Sequence, residues 1–275
     1  MRVGYYVKPF HDLASFRLRV SIPASYLTCP YVIGGTGSPT FFYKDGDVPT
    51  AAVCKGGVVY DVVNDHFDRQ SYIQMTRLAD VLTTSSQAMA EVVKAKTGRD
   101  ATVIDDPYEN AEQEPAVVGD FVVWFGHGAN ISSLKPYADL PNLRVCSNVR
   151  GAIPWSTRKE ASCIEQAAVV LLTGNNRGAS ANRLVKAVRA GRFVVAPPGT
   201  PAWDELKDYC WIGDVREGIK WALNNREDAC QRIAAGQRYM RERFHPSLIG
   251  AKWMEVFAST SGAATSEKKD GLVLT

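Results

Sequence analysis

The residues best placed for chemistry lie in two short loops of the second half of the chain. Gly126-His127-Gly128-Ala129-Asn130 follows the apolar run Phe121 to Phe125 and precedes a segment with helical spacing. Glycines let backbone N–H groups approach an anion, and a helix start adds open donors and partial positive charge. Gly126, His127, Gly128, Ala129 and the later Lys135 are therefore candidate phosphate contacts, although a tight strand-to-helix corner uses the same glycines for steric reasons alone. The second loop, Gly174 to Arg183, follows the most apolar stretch of the chain, Ala167 to Leu172. It offers Asn176, Arg177, Ser180, Ala181 and Asn182 for binding, with Ser180 expected to cap the next helix. Arg183 or Arg177 is the expected charge-assisted contact. The plain alternative is a polar loop with a serine cap and a solvated arginine. A dinucleotide site is disfavoured, because Ile131 stands where a third glycine belongs and Asn148, not an acid, follows the next strand.

The first half offers a different set. Asp61, Asp65 and His66 cluster around the end of a strand read over Val58 to Val62. A carboxylate there suits an acceptor hydroxyl, and His66 suits orienting or deprotonating it; a turn-capping acid and a surface histidine are the alternative. Arg17 and Arg19 alternate with apolar residues, a pattern that fits either phosphate contact or a helix surface. The six cysteines form no C-x-x-C pair, so free thiols in a reducing compartment, the cytoplasm, are expected and no structural metal is. No convincing D-x-D is present, so no essential metal is expected either.

These loops need elements to position them. From Val117 onward, apolar runs (Phe121 to Phe125, Leu143 to Cys146, Ala168 to Leu172, Phe193 to Ala196) alternate with helical periods that end in capping glycines such as Gly191. Strands apolar on both faces and joined by helices predict a parallel sheet covered on each side. Val58 to Val62, Val81 to Thr84 and Ala101 to Ile104 extend the same pattern to the first half. The expectation is an α/β chain of two Rossmann-like domains, 1–110 and 111–245, with parallel sheets facing a cleft. The acidic, proline-bounded stretch Asp105 to Pro115 reads as the hinge. Residues 246–258 read as a helix returning to the first domain, with Ile249, Trp253, Val256 and Phe257 on its apolar face, and 259–275 as a flexible tail. With 275 residues, 45% hydrophobic and 22% charged, the composition is that of a globular chain. No apolar run reaches membrane-spanning length, and the sequence opens directly in a strand-like segment, so neither insertion nor a secretory signal is expected. A net charge of +3 is too small to identify a nucleic-acid binder by itself.

The segment Ser180 to Pro198 resembles the donor-binding region of nucleotide-sugar glycosyltransferases of the GT-B fold, closest to the retaining, glycosyltransferase-family-4-like branch. Phe16 to Ala24, Val59 to Phe67, Ala79 to Ser85 and Ile104 to Glu109 agree in order, so the likeness covers most of residues 1–258. The resemblance implies a glycosyltransferase that moves a sugar from a nucleotide donor, UDP-linked by preference, to a hydroxyl with retention of configuration and without a metal. It places the nucleotide against the second domain and the acceptor, with Arg17, Arg19 and Asp61, against the first. Asp65, His66 and Arg183 become the catalytic candidates. Many members carry two glutamates seven residues apart; the matching places here are Gly178 and Lys186, which leaves Ser180, Asn182 and Arg183 to take over. Short proteins of this look occur in phage genomes, where hydroxymethylated DNA bases are one acceptor class; a bacterial surface-glycan precursor is the rival. A non-enzymatic sugar or nucleotide binder with the same cleft is the alternative outside enzymes, and a nucleotide-sugar epimerase a third reading.

Overall fold

The computed structural model describes residues 1–7, 14–44, 46–174 and 178–263. The chain divides into two compact units, one formed by Met1–Ile104 together with Pro246–Thr275, the other by Asp105–His245. The change of unit therefore comes at residue 104, ahead of the boundary expected at 110.

The first unit is built on β1 (Val3–Tyr5), β2 (Tyr31–Ile33), β3 (Thr40–Tyr43), β4 (Val58–Val62), β5 (Val81–Thr84) and β6 (Thr102–Val103). All pair in parallel, in the order β2-β1-β3-β4-β5-β6. A helical segment runs from α1 (Ala14–Phe16) through a π-helical turn (Arg17–Ser21) into α2 (Ile22–Ser25). Next come α3 (Val48–Val53), α4 (Gln70–Leu78) and α5 (Gln87–Thr97). Ser86 caps α5 by accepting from Met89 N–H at 3.2 Å, and Gly98 closes it at φ 71°, both signals of the sequence. Parallel strands are normally joined by a dozen or more residues, yet only residues 34–39 connect β2 to β3. The connection is this short because it lies directly on β1: a Cβ on Gly4 would collide with the backbone of Thr36 and Gly37, and one on Gly37 with that of Arg2, Val3 and Gly4.

The second unit repeats the plan with β7 (Val122–Phe125), β8 (Leu143–Ser147), β9 (Ile153–Pro154), β10 (Val169–Leu171), β11 (Phe193–Ala196) and β12 (Trp211–Ile212). Its parallel order is β12-β11-β10-β7-β8-β9. Its helices are α6 (Thr157–Gln166), α7 (Asn182–Arg189), α8 (Pro201–Asp204), α9 (Val215–Asn224) and α10 (Arg226–Arg243). The segment of helical spacing after β7 is a 3-10 helix, Gly128–Tyr137, and a short 3-10 turn, Lys207–Tyr209, follows α8. Trp124, Val170 and Val194 are among the fully buried residues of the central strands, as their two-sided apolar character requires.

The expected hinge is instead a firmly bound part of the second unit. Asp105 pairs with Arg243 at 3.1 Å, and Tyr108 N–H donates to the Phe244 carbonyl at 3.1 Å. Glu112 pairs with Arg189 and Arg241, Gln113 N–H donates to the Arg189 carbonyl, and Ala116 N–H donates to that of Gly191. Acids that read as solvated are matched by arginines on α7 and α10. The last helix, α11 (Pro246–Ala263), belongs to the first unit and extends five residues beyond the helix expected over 246–258. Its Ile249, Trp253, Val256 and Phe257 share a core with Tyr5, Phe16 and Phe41.

Candidate functional site

In an open parallel sheet, ligands bind beyond the carboxyl ends of the strands, where the strand order reverses. In the second unit, the chain leaves β7 for β8 and β9, then returns to lay β10 on the other side of β7. The switch point therefore lies between β7 and β10. Arg183, on the first turn of α7, reaches it: its guanidinium donates to the carbonyl of Phe125, last residue of β7, at 3.4 Å and to that of Thr173, just past β10, at 3.2 Å. The ring of the buried Trp203 lies 5.5 Å from it. Among the described residues no carboxylate pairs with Arg183. Burial pushes its pKa down to about 10, only partly offset by the more distant Glu160.

The start of α7 differs from the expected form. The helix begins at Asn182 with Ala181 as N-cap and no side-chain cap bond, so Ser180 does not cap it. Ser180, Ala181 and Asn182 are half-buried beside Arg183, and among the described residues no side chain caps the helix N-terminus. Asn176 and Arg177 lie outside the described residues.

The glycine turn after β7 corrects a second expectation. Its amides are not open to an anion. Gly126 N–H donates to the Cys146 carbonyl at 3.2 Å, Gly128 N–H to Asn148 Oδ1 at 2.6 Å, and Ala129 N–H to His127 Nδ1 at 3.2 Å. Close packing explains the glycine at 128, since a Cβ there would strike the Val149 side chain. His127 is exposed, with Nε2 3.3 Å from Asn148 Nδ2, and Lys135 is exposed on the 3-10 helix. The steric reading of this turn describes its amides better than the phosphate reading.

Three features of this edge were missed in the sequence. Thr173, two residues past β10, carries a buried hydroxyl; Ser147 and Asn148 hold the turn, Ser147 Oγ donating to the Gly126 carbonyl at 2.8 Å. Further along α7, Lys186 pairs with Glu109 at 2.9 Å and Glu160 at 2.5 Å, and Trp155 Nε1–H also donates to Glu160. Burial acts to lower the Lys186 pKa, but the two carboxylates outweigh it and hold the ammonium above its ordinary range. The position of Thr173 at the end of the most apolar strand was the available signal; the acids on Lys186 had none, because they come from distant segments.

The acceptor-side set of the first unit separates. Asp61 is 0% exposed within β4 and Arg19 1% exposed in the π-helical turn. Arg19 donates to Asp61 at 2.6 and 2.9 Å and to the Ile104 carbonyl at 2.5 Å; Thr83 Oγ1 donates to Asp61 at 2.7 Å, and Trp253 stacks 4.9 Å from the guanidinium. Neither residue faces an acceptor; a buried carboxylate has taken the arginine. Arg17 is half-buried in the same turn. Asp65 and His66 lie in the turn that follows β4, Asp65 exposed and His66 packed edge-on to Tyr72 at 5.5 Å. The expected trio thus reduces to this pair.

Among the described residues, no three His, Cys, Asp or Glu side chains are grouped to hold a metal ion, and no helix is long and apolar enough to cross a membrane. No family model matches the sequence, and no curated protein does. Solved structures do match. Anabaena HepE, in complex with UDP and glucose, superposes with a TM-score of 0.70 at 12% identity over 94% of this chain and 100% of that one. AviGT4, a glycosyltransferase involved in avilamycin A biosynthesis, gives 0.60 at 13% identity over 95% and 98%. An alpha1,3-fucosyltransferase gives 0.56 at 10% over 94% and 90%. The fold is GT-B. At these identities the likeness concerns architecture, and the chemistry must come from this chain's own residues.

Proposed function

We propose that the chain is a glycosyltransferase whose second unit binds the diphosphate of a nucleotide sugar, UDP-linked by preference, at the β7–β10 switch point. The observation that carries this reading is Arg183, a half-buried cation at the carboxyl edge of the sheet that, among the described residues, meets two carbonyls and no carboxylate. A buried charge without a counter-charge is costly, and a ligand phosphate supplies one. Solved neighbours support the reading: HepE is recorded with UDP and with UDP-glucose.

In the proposed reaction the bond from the sugar's anomeric carbon to the diphosphate oxygen breaks, and an acceptor hydroxyl forms the new bond with retention. Negative charge developing on the leaving phosphate is met by Arg183 and the uncapped start of α7, with Ser180 and Asn182 alongside. On the first unit, Asp65 and His66 are the groups proposed to receive the hydroxyl proton; Arg19 and Asp61 are not. No step is assigned to a metal. The cytoplasm is the proposed compartment.

Incubation with UDP-, GDP- and ADP-sugars tests the reading. The expected result is nucleotide release from one of them, and stabilisation by ~2.7 kcal/mol when its nucleotide is present at about 100 times the dissociation constant. Stabilisation without release identifies a binding protein; sugar isomerisation without an acceptor identifies an epimerase. The acceptor to be tried first is hydroxymethylated DNA. Its transfer rate is expected to fall steeply with salt, whereas a flat profile points to a surface-glycan precursor.

A further inference from the structure

Four groups at the switch point form a hydrogen-bond chain whose direction the chemistry fixes. The Trp124 indole N–H, fully buried in β7, donates to Thr173 Oγ1 at 2.7 Å. Ser133 Oγ donates to the Asn130 carbonyl at 2.7 Å and lies 2.7 Å from Thr173 Oγ1. Indole nitrogen only donates, and each hydroxyl has one proton. With the Ser133 proton committed to Asn130, the Thr173 proton must go to Ser133. The chain therefore runs Trp124 to Thr173 to Ser133 to Asn130, each proton with one acceptor. It joins the end of β10 to the first turns of the 3-10 helix after β7. Thr173 is 1% exposed, so water does not replace these partners. The same residue's carbonyl receives the Arg183 guanidinium.

We propose that Thr173 is a positioning residue: tied through its hydroxyl to Trp124 and to the Asn130–Ser133 segment, it holds in place the carbonyl that fixes Arg183, the cation proposed above to receive the diphosphate. The inference rests on the donor-site reading above and adds to it a residue that does not itself touch the ligand. A residue that only supports packing would change stability and leave ligand affinity alone. A positioning residue changes affinity and KM more than kcat.

Thr173→Val keeps the shape and the carbonyl and removes the relay. The expected result is about a tenfold rise in the dissociation constant for UDP and in KM for UDP-glucose, with kcat nearly unchanged. Amide hydrogen exchange over residues 130–134 should quicken several-fold. Because this variant also strands the buried Trp124 N–H, Ser133→Ala provides the second arm: it keeps the Trp124–Thr173 bond and should give the same changes, smaller. Thr173→Ser should restore both readouts. Wild-type UDP affinity in both Thr173→Val and Ser133→Ala would overturn the proposal whether or not exchange quickens, as would failure of Thr173→Ser to rescue. Exchange needs no ligand, so it judges the relay even if the wild-type protein binds no UDP, a result that would instead remove the donor-site reading.

Discussion

Each unit places an arginine against a buried tryptophan, Arg19 on Trp253 and Arg183 on Trp203, yet the two cations meet opposite surroundings. Arg19 is matched by the Asp61 carboxylate, a threonine hydroxyl holds that carboxylate, and the remaining guanidinium N–H groups have a carbonyl. Among the described residues, the hydrogen-bond partners of Arg183 are two carbonyls. Position explains the difference. Arg19 is inside the packing of the first unit, where an unpaired charge is not tolerated. Arg183 is at the rim of a sheet, where a ligand can complete its surroundings. The comparison teaches that arginine burial alone does not mark a site, and neither does the lack of a carboxylate, since the buried Arg192 meets the carbonyls of Glu165, Ala116 and Gly191; what sets Arg183 apart is its place at the switch point.

Breaking the comparison starts with Arg19. Arg19→Met leaves Asp61 buried without its cation, and urea denaturation should show a loss of ~3–5 kcal/mol. Lys186→Met, which removes the cation shared by Glu160 and Glu109, should cost about 3 kcal/mol by the same measurement, because Glu160 keeps its Trp155 partner. Its pH dependence has a definite sign. Lys186 is raised in the folded protein, so its contribution is complete below its ordinary value of 10.5 and disappears as pH rises through the higher folded one. Stability of the wild type should therefore decline on that alkaline side, and the variant should decline less. Arg183→Met should behave in the opposite way to Arg19→Met. Unliganded stability should hold or rise, while the ~2.7 kcal/mol of UDP-dependent stabilisation disappears in a thermal-shift titration. Equal losses of unliganded stability in both arginine variants would break the contrast. Asp139→Asn, which removes an exposed partner of Arg216, should leave the unfolding midpoint where it is.

The second unit was legible because its strands are apolar on both faces and its helices carry local stop signals, as Gly191 does after α7. The start of the first unit was not. β2 and β3 are three and four residues long, β2 is largely exposed, and the π-helical turn has a period no helix pattern detects. The site was legible to the same degree. Arg183 stood out at the entry of a helix after an apolar strand. That Asn148 would occupy the Gly128 amide, or that Asp61 would take Arg19, depends on pairings 20 and 42 residues apart along the chain. Composition misled at Asp105 to Pro115, since acids and prolines look alike in a loose linker and in one fastened by distant arginines.

The first unit is assembled from both ends of the polypeptide. A ribosome must finish the entire second unit before α11 emerges. Until then Phe41, Tyr5 and the Arg19–Asp61 pair lack the Trp253 and Phe257 rings that cover them. The sheet of the first unit thus waits, incompletely sealed, for α11 to be translated, and a message cut short after codon 245 would yield a finished second unit attached to an unfinished first.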